Sequence, residues 1–458
     1  MLQTLVIFGA SGDLTARFLL PAVVRLHEAG QLPEKFRIIG LARDAWDSTA
    51  FREHMEAKLG EFTPASDRAS REAIVESLEY RRVDVSDGRQ VAEAVGHLHD
   101  PLLAYLALPP ALFRSAVTSL AGLGLPKGSK LVIEKPFATG LQSAQELNAL
   151  LHDSFAEGDV FRLDHFLGKQ TVQNILGFRF TNRIFEPLWN AQHIERVEII
   201  WDETLTAAGR ASFYDGTGAL RDMIQNHLLQ LLALIGMEPL HALDERTLRD
   251  RKVDVLRAVR RVTPEAVAAQ TVRARYGRGA IGGRDVLPYT KEAGVAPERH
   301  VETYARVVLW IDNWRWAGVP FLLQTGKALG RDRREIAIHF KSVPHLAFGQ
   351  RSQPEPNLLK FELGPDRITL AVNVNATGEL CEFDRVELDS PCASGGLPPY
   401  ARLLLDVLNG DLTLSIRDDE AEESWRIVEP ILEHWNAGHV PLLEYPAGSD
   451  GPVEAAAA

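Results

Sequence analysis

A glycine turn joins the first apolar run of this chain to its first amphipathic one, and few folds begin that way. Leu5-Val6-Ile7-Phe8 is strand-like, Gly9-Ala10-Ser11-Gly12-Asp13-Leu14 follows, and Leu19, Leu20, Val23, Val24 and Leu26 then recur with a helical period. Strand, glycine turn and helix open a Rossmann unit, and a second strand at 36–41, one helix length on, completes βαβ. Gly9 and Gly12 carry no Cβ where a backbone must approach a pyrophosphate, and the amides of the next helix face the anion. The spacing departs from G-x-G-x-x-G, and a purely structural turn needs one glycine only.

Two more runs, Ala104 to Leu108 and Lys130 to Ile133, are closed by Pro109-Pro110 and Glu134-Lys135-Pro136. Their lack of polar alternation suits parallel strands buried on both faces. Beyond about residue 170 the pattern changes: Arg196 to Trp201 and Lys360 to Leu363 alternate, as half-exposed antiparallel strands do. The expected architecture is α/β: an N-terminal Rossmann dinucleotide-binding domain over 1–165, a larger α+β domain with a mainly antiparallel sheet over 166–445, and a frayed tail over 446–458. A length of 458 residues agrees with two or three domains.

With 62 Asp and Glu against 50 Lys and Arg, the net charge of −12 repels phosphate backbones at long range, so no nucleic-acid partner is expected. A small phosphorylated ligand stays open. Cys381 and Cys392 are too few for a disulfide framework or a paired zinc site, and no metal is expected. The first residues lack a basic leader, and no uncharged apolar stretch reaches the roughly 18 residues of a membrane span. A soluble cytoplasmic protein with no membrane partner is expected.

The residue after the second strand decides which dinucleotide fits, and here it is Arg43, which favours the 2′-phosphate of NADP. Asp44 beside it could instead bind an unphosphorylated ribose. Arg162 to Lys169 packs an acid, an imidazole and two cations into eight residues; if extended, Asp164 and His165 point to opposite sides. Arg221 to Leu231 reads as a helix whose apolar stripe is Leu220, Met223, Ile224, Leu228 and Leu231, with His227 on the inward stripe. A carboxylate that held one ring nitrogen would leave the other free as a base, and Asp164 and Asp222 are both candidates.

Taken in order, these motifs resemble the glucose-6-phosphate dehydrogenase family. The resemblance rests on Gly9 to Leu14, Tyr105 to Pro110, Glu134 to Phe137, Arg162 to Lys169, Arg221 to Gln230, Ile311 to Phe321, Thr325 to Lys327 and Ser424 to Arg426, and it runs from Leu5 to about Trp435. It implies oxidation of β-D-glucose 6-phosphate to 6-phospho-D-glucono-1,5-lactone with NADP, NAD also being possible. His227 then matches the general base and Asp164 its orienting acid. Lys135 matches a lysine near sugar and nicotinamide, Glu203 and Asp222 the carboxylates that hold sugar hydroxyls, and His165, Lys169 and Lys327 the 6-phosphate cluster. Gly9, Ser11, Gly12, Asp13, Leu14, Arg43 and Lys135 match the cofactor site. Family members assemble as dimers or tetramers through the large sheet, so a homo-oligomer is implied.

Three departures from the family pattern stand out. Phe166 replaces a tyrosine, Phe18 replaces a lysine that ends the glycine-turn motif, and Asp332 takes a basic position, with Arg331 and Arg333 beside it. Phe18, Asp44 and Phe166 leave open a dehydrogenase of the same fold that prefers NAD and another sugar, and a nucleotide sensor without turnover is the alternative of a different class.

Overall fold

The computed structural model describes residues 1–347, 354–376, 382–391 and 396–453; Cys381, Cys392 and the last five residues of the expected tail lie outside them. The chain forms two compact units. The first takes Met1–Lys169 together with His241–Arg249 and Gly395–Glu422, two later segments that a linear division at residue 165 does not anticipate.

In the first unit β1 (Thr4–Phe8), β2 (Arg37–Ala42), β3 (Leu78–Arg82), β4 (Leu102–Leu106), β5 (Lys130–Glu134) and β6 (Val160–Leu163) form a parallel sheet in the order β3-β2-β1-β4-β5-β6. All residues of β1 and β4 are buried, as their unbroken apolar runs require. The order reverses between β1 and β4, and ligands of such sheets bind outside the carboxyl ends at that point. Asp47, Asp67 and Asp87 cap three helices by accepting the N–H groups of Ala50, Ser70 and Arg89. The helix Pro399–Asn409 buries Ala401, Leu403, Leu404, Val407 and Leu408 in one cluster with Leu5, Leu26, Phe36 and Ile38. At the sheet edge, Arg162 N–H donates to Ser415 Oγ at 3.1 Å, so late residues cover an otherwise open strand.

The second unit holds a nine-stranded sheet of β7 (Ile194–Asp202), β8 (Thr271–Gly277), β11 (Tyr304–Trp310), β12 (Pro320–Gly326), β13 (Arg333–Phe340), β14 (Leu358–Leu363), β15 (Asp366–Asn375), β16 (Phe383–Pro391) and β17 (Leu442–Pro446). A small ribbon of β9 (Gly279–Ile281) and β10 (Arg284–Val286) stands apart from it. The order is β16-β15-β14-β13-β7-β12-β11-β8-β17, antiparallel except for β7 with β12 and β8 with β17. The expected half-exposed strand at 196–201 is therefore a central one, and its last four residues, 199–202, are all buried. The first part of the expected frayed tail is held in place as far as Ser449. Gly448 N–H donates to Ala328 O at 2.8 Å and Gly330 N–H to Ser449 O at 2.9 Å, which ties this stretch to the sheet.

Leu404→Ala removes a side chain that is 1% exposed and should cost about 2–5 kcal/mol. Because Leu404 shares a cluster with β1, amide exchange in β1 and β2 should speed up in this variant; unchanged exchange there would mean that the late helix is not part of this core.

Candidate active site

The glycine turn in the first unit is demanded by the fold and leaves backbone amides open. Gly9 has φ +86°, and a Cβ there would stand 2.3 Å from Ala107 O, so the fold itself excludes a side chain. Gly9 and Ala10 donate to Leu41 O at 2.8 and 3.1 Å, and Gly12 donates to Gly9 O at 3.0 Å. The amides of Ser11 and Asp13 make no backbone hydrogen bond among the described residues, and Gly12 and Asp13 are exposed. Two uncommitted amides on an exposed turn, at the point where the strand order reverses, fit a dinucleotide pyrophosphate. Leu14 is half-buried behind them, and Arg43 is exposed at the carboxyl end of β2.

Lys135 follows β5 directly, and beneath it lies Glu134, which the sequence analysis treated only as the end of a strand. Glu134 is buried and accepts a hydrogen bond from the hydroxyl of Tyr105. Burial pushes its carboxyl up to about 7, against the opposing pull of Tyr105 and Lys135.

Asp164 to Lys169 is not extended, contrary to the alternation expected for Asp164 and His165. Leu167, Gly168 and Lys169 donate in succession to the carbonyls of Asp164, His165 and Phe166, which coils the segment into tight turns. Asp164 is fully buried and its Oδ1 accepts Phe166 N–H at 2.9 Å, an Asx-type bond that holds the first turn. Gly168 is required by packing, since a Cβ would meet Pro399 O at 2.6 Å. His165 stacks on Tyr400 with centroids 5.4 Å apart, and Phe18 stacks on Tyr400 at 5.1 Å. The ring at position 18 thus joins an aromatic stack in place of the family's cation. Phe166 is buried, with Lys169 Nζ 5.5 Å from its ring centroid.

In the second unit, Glu203 and Lys327 follow the paired ends of β7 and β12, where Asp202 faces Gly326. Their side chains meet at 2.8 Å, and Lys327 Nζ lies 5.2 Å from the Tyr214 ring centroid. The Tyr214 hydroxyl is held well above its ordinary value by burial first and then by the charges of Asp222 and Glu302, with Glu203 adding a smaller push. Tyr214 thus lies beside the pair of Glu203 and Lys327 and feels the charge of Asp222. Asp332 accepts the N–H and hydroxyl of Thr204 at 2.7 and 3.0 Å and pairs with Arg334, while Arg333 pairs with Asp202. Arg333 is thus committed to Asp202, whereas Arg331 is exposed and forms no ion pair among the described residues.

His227 lies on a helix, as expected, but Leu220–Leu228 is wound as a π-helix before an α-helix over Leu229–Gly236. The single apolar stripe is also corrected, because every residue from Met223 to Gly236 is buried. Five residues subtend about 140° on an α-helix, but i to i+5 pairing stacks them on one side. Asp222 and His227, five apart, thereby share a side. Glu302 accepts Leu220 N–H at 3.0 Å at the start of this helix, and Gly218, with φ +74°, leaves room for its carboxylate. At the far end Trp189 and Trp316 donate their indole N–H groups to Ile235 O and Gly236 O at 2.8 and 2.7 Å, and Arg179 donates to Leu234 O and Met237 O. Tyr214 and Glu302 carried no local signal, because each acts on residues that the fold alone brings near.

The sequence matches the family models for glucose-6-phosphate dehydrogenase, NAD binding domain, over residues 6–174, and glucose-6-phosphate dehydrogenase, C-terminal domain, over residues 176–458. It is 41% identical over 474 aligned residues to a glucose-6-phosphate 1-dehydrogenase of Treponema pallidum, which covers 98% of this chain and 92% of that protein. Among solved structures, a glucose-6-phosphate dehydrogenase in complex with its substrate glucose-6-phosphate is similar at 31% identity and a TM-score of 0.89, over 100% of this chain and 96% of the other. The glucose-6-phosphate 1-dehydrogenase of Mycobacterium avium is similar at 35% identity and a TM-score of 0.88, over 99% and 96%.

Glu134 yields a test of the electrostatics. A carboxyl raised from 4.5 to about 7 stabilises the folded state while both states keep the proton, and that contribution is lost as pH rises from 4.5 through 7. The stability of the wild type relative to Glu134→Gln should fall across this window by on the order of 3 kcal/mol. Urea unfolding at pH 5 and pH 8 measures it; a pH-independent difference would place an ionised carboxylate in the core.

Proposed function

The chain belongs to the glucose-6-phosphate dehydrogenase family, and we propose how its residues divide the oxidation of glucose 6-phosphate by a nicotinamide dinucleotide. The cofactor is assigned as NADP. When bound, it supplies the carbon that receives hydride from sugar C1. Gly9, Ser11, Gly12, Asp13 and Leu14 hold its pyrophosphate, and Arg43 its 2′-phosphate.

His227 takes the proton of the C1 hydroxyl as hydride departs. A sugar hydroxyl is too weak an acid to ionise unaided near neutral pH, and an imidazole is the side chain matched to that task. Asp164 orients the imidazole and offsets its charge once it is protonated. Asp222 and Glu203 accept hydrogen bonds from sugar hydroxyls, His165, Lys169 and Lys327 bind the 6-phosphate, and Lys135 contacts sugar and cofactor. The observation that supports this reading is the π-winding of Leu220–Leu228, whose i to i+5 pairing brings Asp222 and His227 toward one side of one helix.

The product is 6-phospho-D-glucono-1,5-lactone, the first intermediate of the oxidative pentose phosphate pathway, and the enzyme is assigned to the cytoplasm. Among the described residues no helix is long and apolar enough to cross a membrane. A homodimer or homotetramer built on the large sheet would cover the exposed Val374 and Leu388 of β15 and β16. A second reading, in which NAD is preferred, rests on the exposed carboxylate of Asp44 beside Arg43.

His227→Asn should lower kcat by about 10²–10⁴-fold with KM for the sugar phosphate near normal, because it removes an interaction made in the transition state. NADPH formation followed by absorbance reads this directly, and an undiminished kcat removes His227 from the mechanism. Lys169→Ala should mainly raise KM for glucose 6-phosphate and reduce selectivity over free glucose. Selectivity that stays constant would move the phosphate site elsewhere.

A further inference from the structure

Arg43 is not the only guanidinium at its edge of the nucleotide sheet. β2 and β3 run parallel with Ala42 opposite Arg82, so Arg43 and Arg82 leave adjacent strands at the same level. Both are exposed. Arg82 Nε donates to Arg43 O at 3.2 Å, which fixes the stem of the side chain and leaves both terminal nitrogens without a partner among the described residues. Neither arginine forms an ion pair among the described residues, although two carboxylates are close at hand. Asp84 accepts Ser86 N–H and Oγ–H at 3.0 and 2.6 Å, and these bonds, helped by the charge of Arg43, hold it below the usual carboxylate range. The carbonyl of Asp44 accepts the hydroxyl of Tyr80 at 2.9 Å. That hydroxyl is pushed up to about 12 by burial and by the Asp44 carboxylate, with Arg82 opposing them.

Two uncommitted guanidinium groups side by side form a receptor for a dianion, and each can give a phosphate two parallel N–H bonds. The geometry points to Arg82 as a second ligand of the NADP 2′-phosphate, acting with Arg43 to set the preference for NADP over NAD. This rests on the NADP assignment above. Asp44, in the same group, offers an acceptor for the free 2′-hydroxyl of NAD, so the site should bind NAD measurably, and the arginine pair should tilt the balance. No signal in the sequence singled out Arg82, because it lies 39 residues from Arg43 and only the strand pairing joins them.

The test is calorimetric titration of the full chain with NADP⁺, NAD⁺ and 2′,5′-ADP. Arg82→Ala should weaken NADP⁺ and 2′,5′-ADP by about tenfold, the scale of one charge-assisted contact, and should leave NAD⁺ within about twofold. Arg82→Lys, which keeps the charge, should recover part of the loss. If Arg82→Ala binds NADP⁺ like the wild type while Arg43→Ala does not, Arg82 is excluded and the NADP assignment survives. Equal weakening of NADP⁺ and NAD⁺ would give Arg82 a role in holding the strand ends, and also overturns the proposal. A wild type that binds NAD⁺ as tightly as NADP⁺ would remove the NADP assignment itself.

Discussion

The second unit depends on how the two ends of one buried helical run are satisfied. The first amides and last carbonyls of any helix lack partners within it, and burying them bare is costly. Here the carboxylate of Glu302 accepts the amide of Leu220, and two indoles and one guanidinium donate to carbonyls at the far end. Arg179 is buried deeply enough that its guanidinium is pulled down to about 10. With both ends closed, the run can be buried on every side, and His227 is held by packing rather than by a loop. An imidazole fixed in this way has little rotamer freedom to lose in the role proposed for it.

Burial recurs as the dominant electrostatic force. It raises Glu134 in the first unit and Asp202 in the second, the latter to about 6 even with Arg333 and Gln324 attached. Glu198 is the counter-example: burial would raise it, yet the His339 ring 3.5 Å away and the Arg196 guanidinium, which donates to it at 2.9 Å, hold it at about 2. A neighbouring carboxylate thus goes either way according to whether its cationic and hydrogen-bonding partners outweigh its desolvation.

Much of the nucleotide unit was legible because its signals are local. The apolar run at 5–8 and the glycines at 9 and 12 announce strand, turn and helix within a single stretch, and the strands at 36–41 and 130–133 were found to within one or two residues. The family motifs supplied the residues proposed for the site, among them Glu203 and Lys327, whose side chains the paired strand ends bring together. The π-winding at Leu220–Leu228 was illegible because residue spacing does not distinguish it from an α-helix with a broad buried face. The Asp164 turn was missed because alternation assumes an extended chain, and that segment instead coils on its own hydrogen bonds. Tyr214, Tyr400, Glu302 and Arg82 escaped notice for one reason: their partners lie on other elements, and only the folded topology supplies them.

The bracing of Lys327 carries a consequence for how the molecule is made. Tyr445 donates its hydroxyl to Lys327 O at 2.6 Å across 118 residues of chain, and Gly448 and Ser449 clasp the two residues that follow the loop's bend at Ala328 and Gly330. At roughly 5–20 residues per second, a ribosome needs about 6–24 s after reaching the lysine before those clasps exist. A chain released before residue 449 would carry all the residues proposed for the sugar phosphate yet leave Lys327 on an unsupported loop, so synthesis must pass that residue before the loop bearing this lysine acquires its final shape.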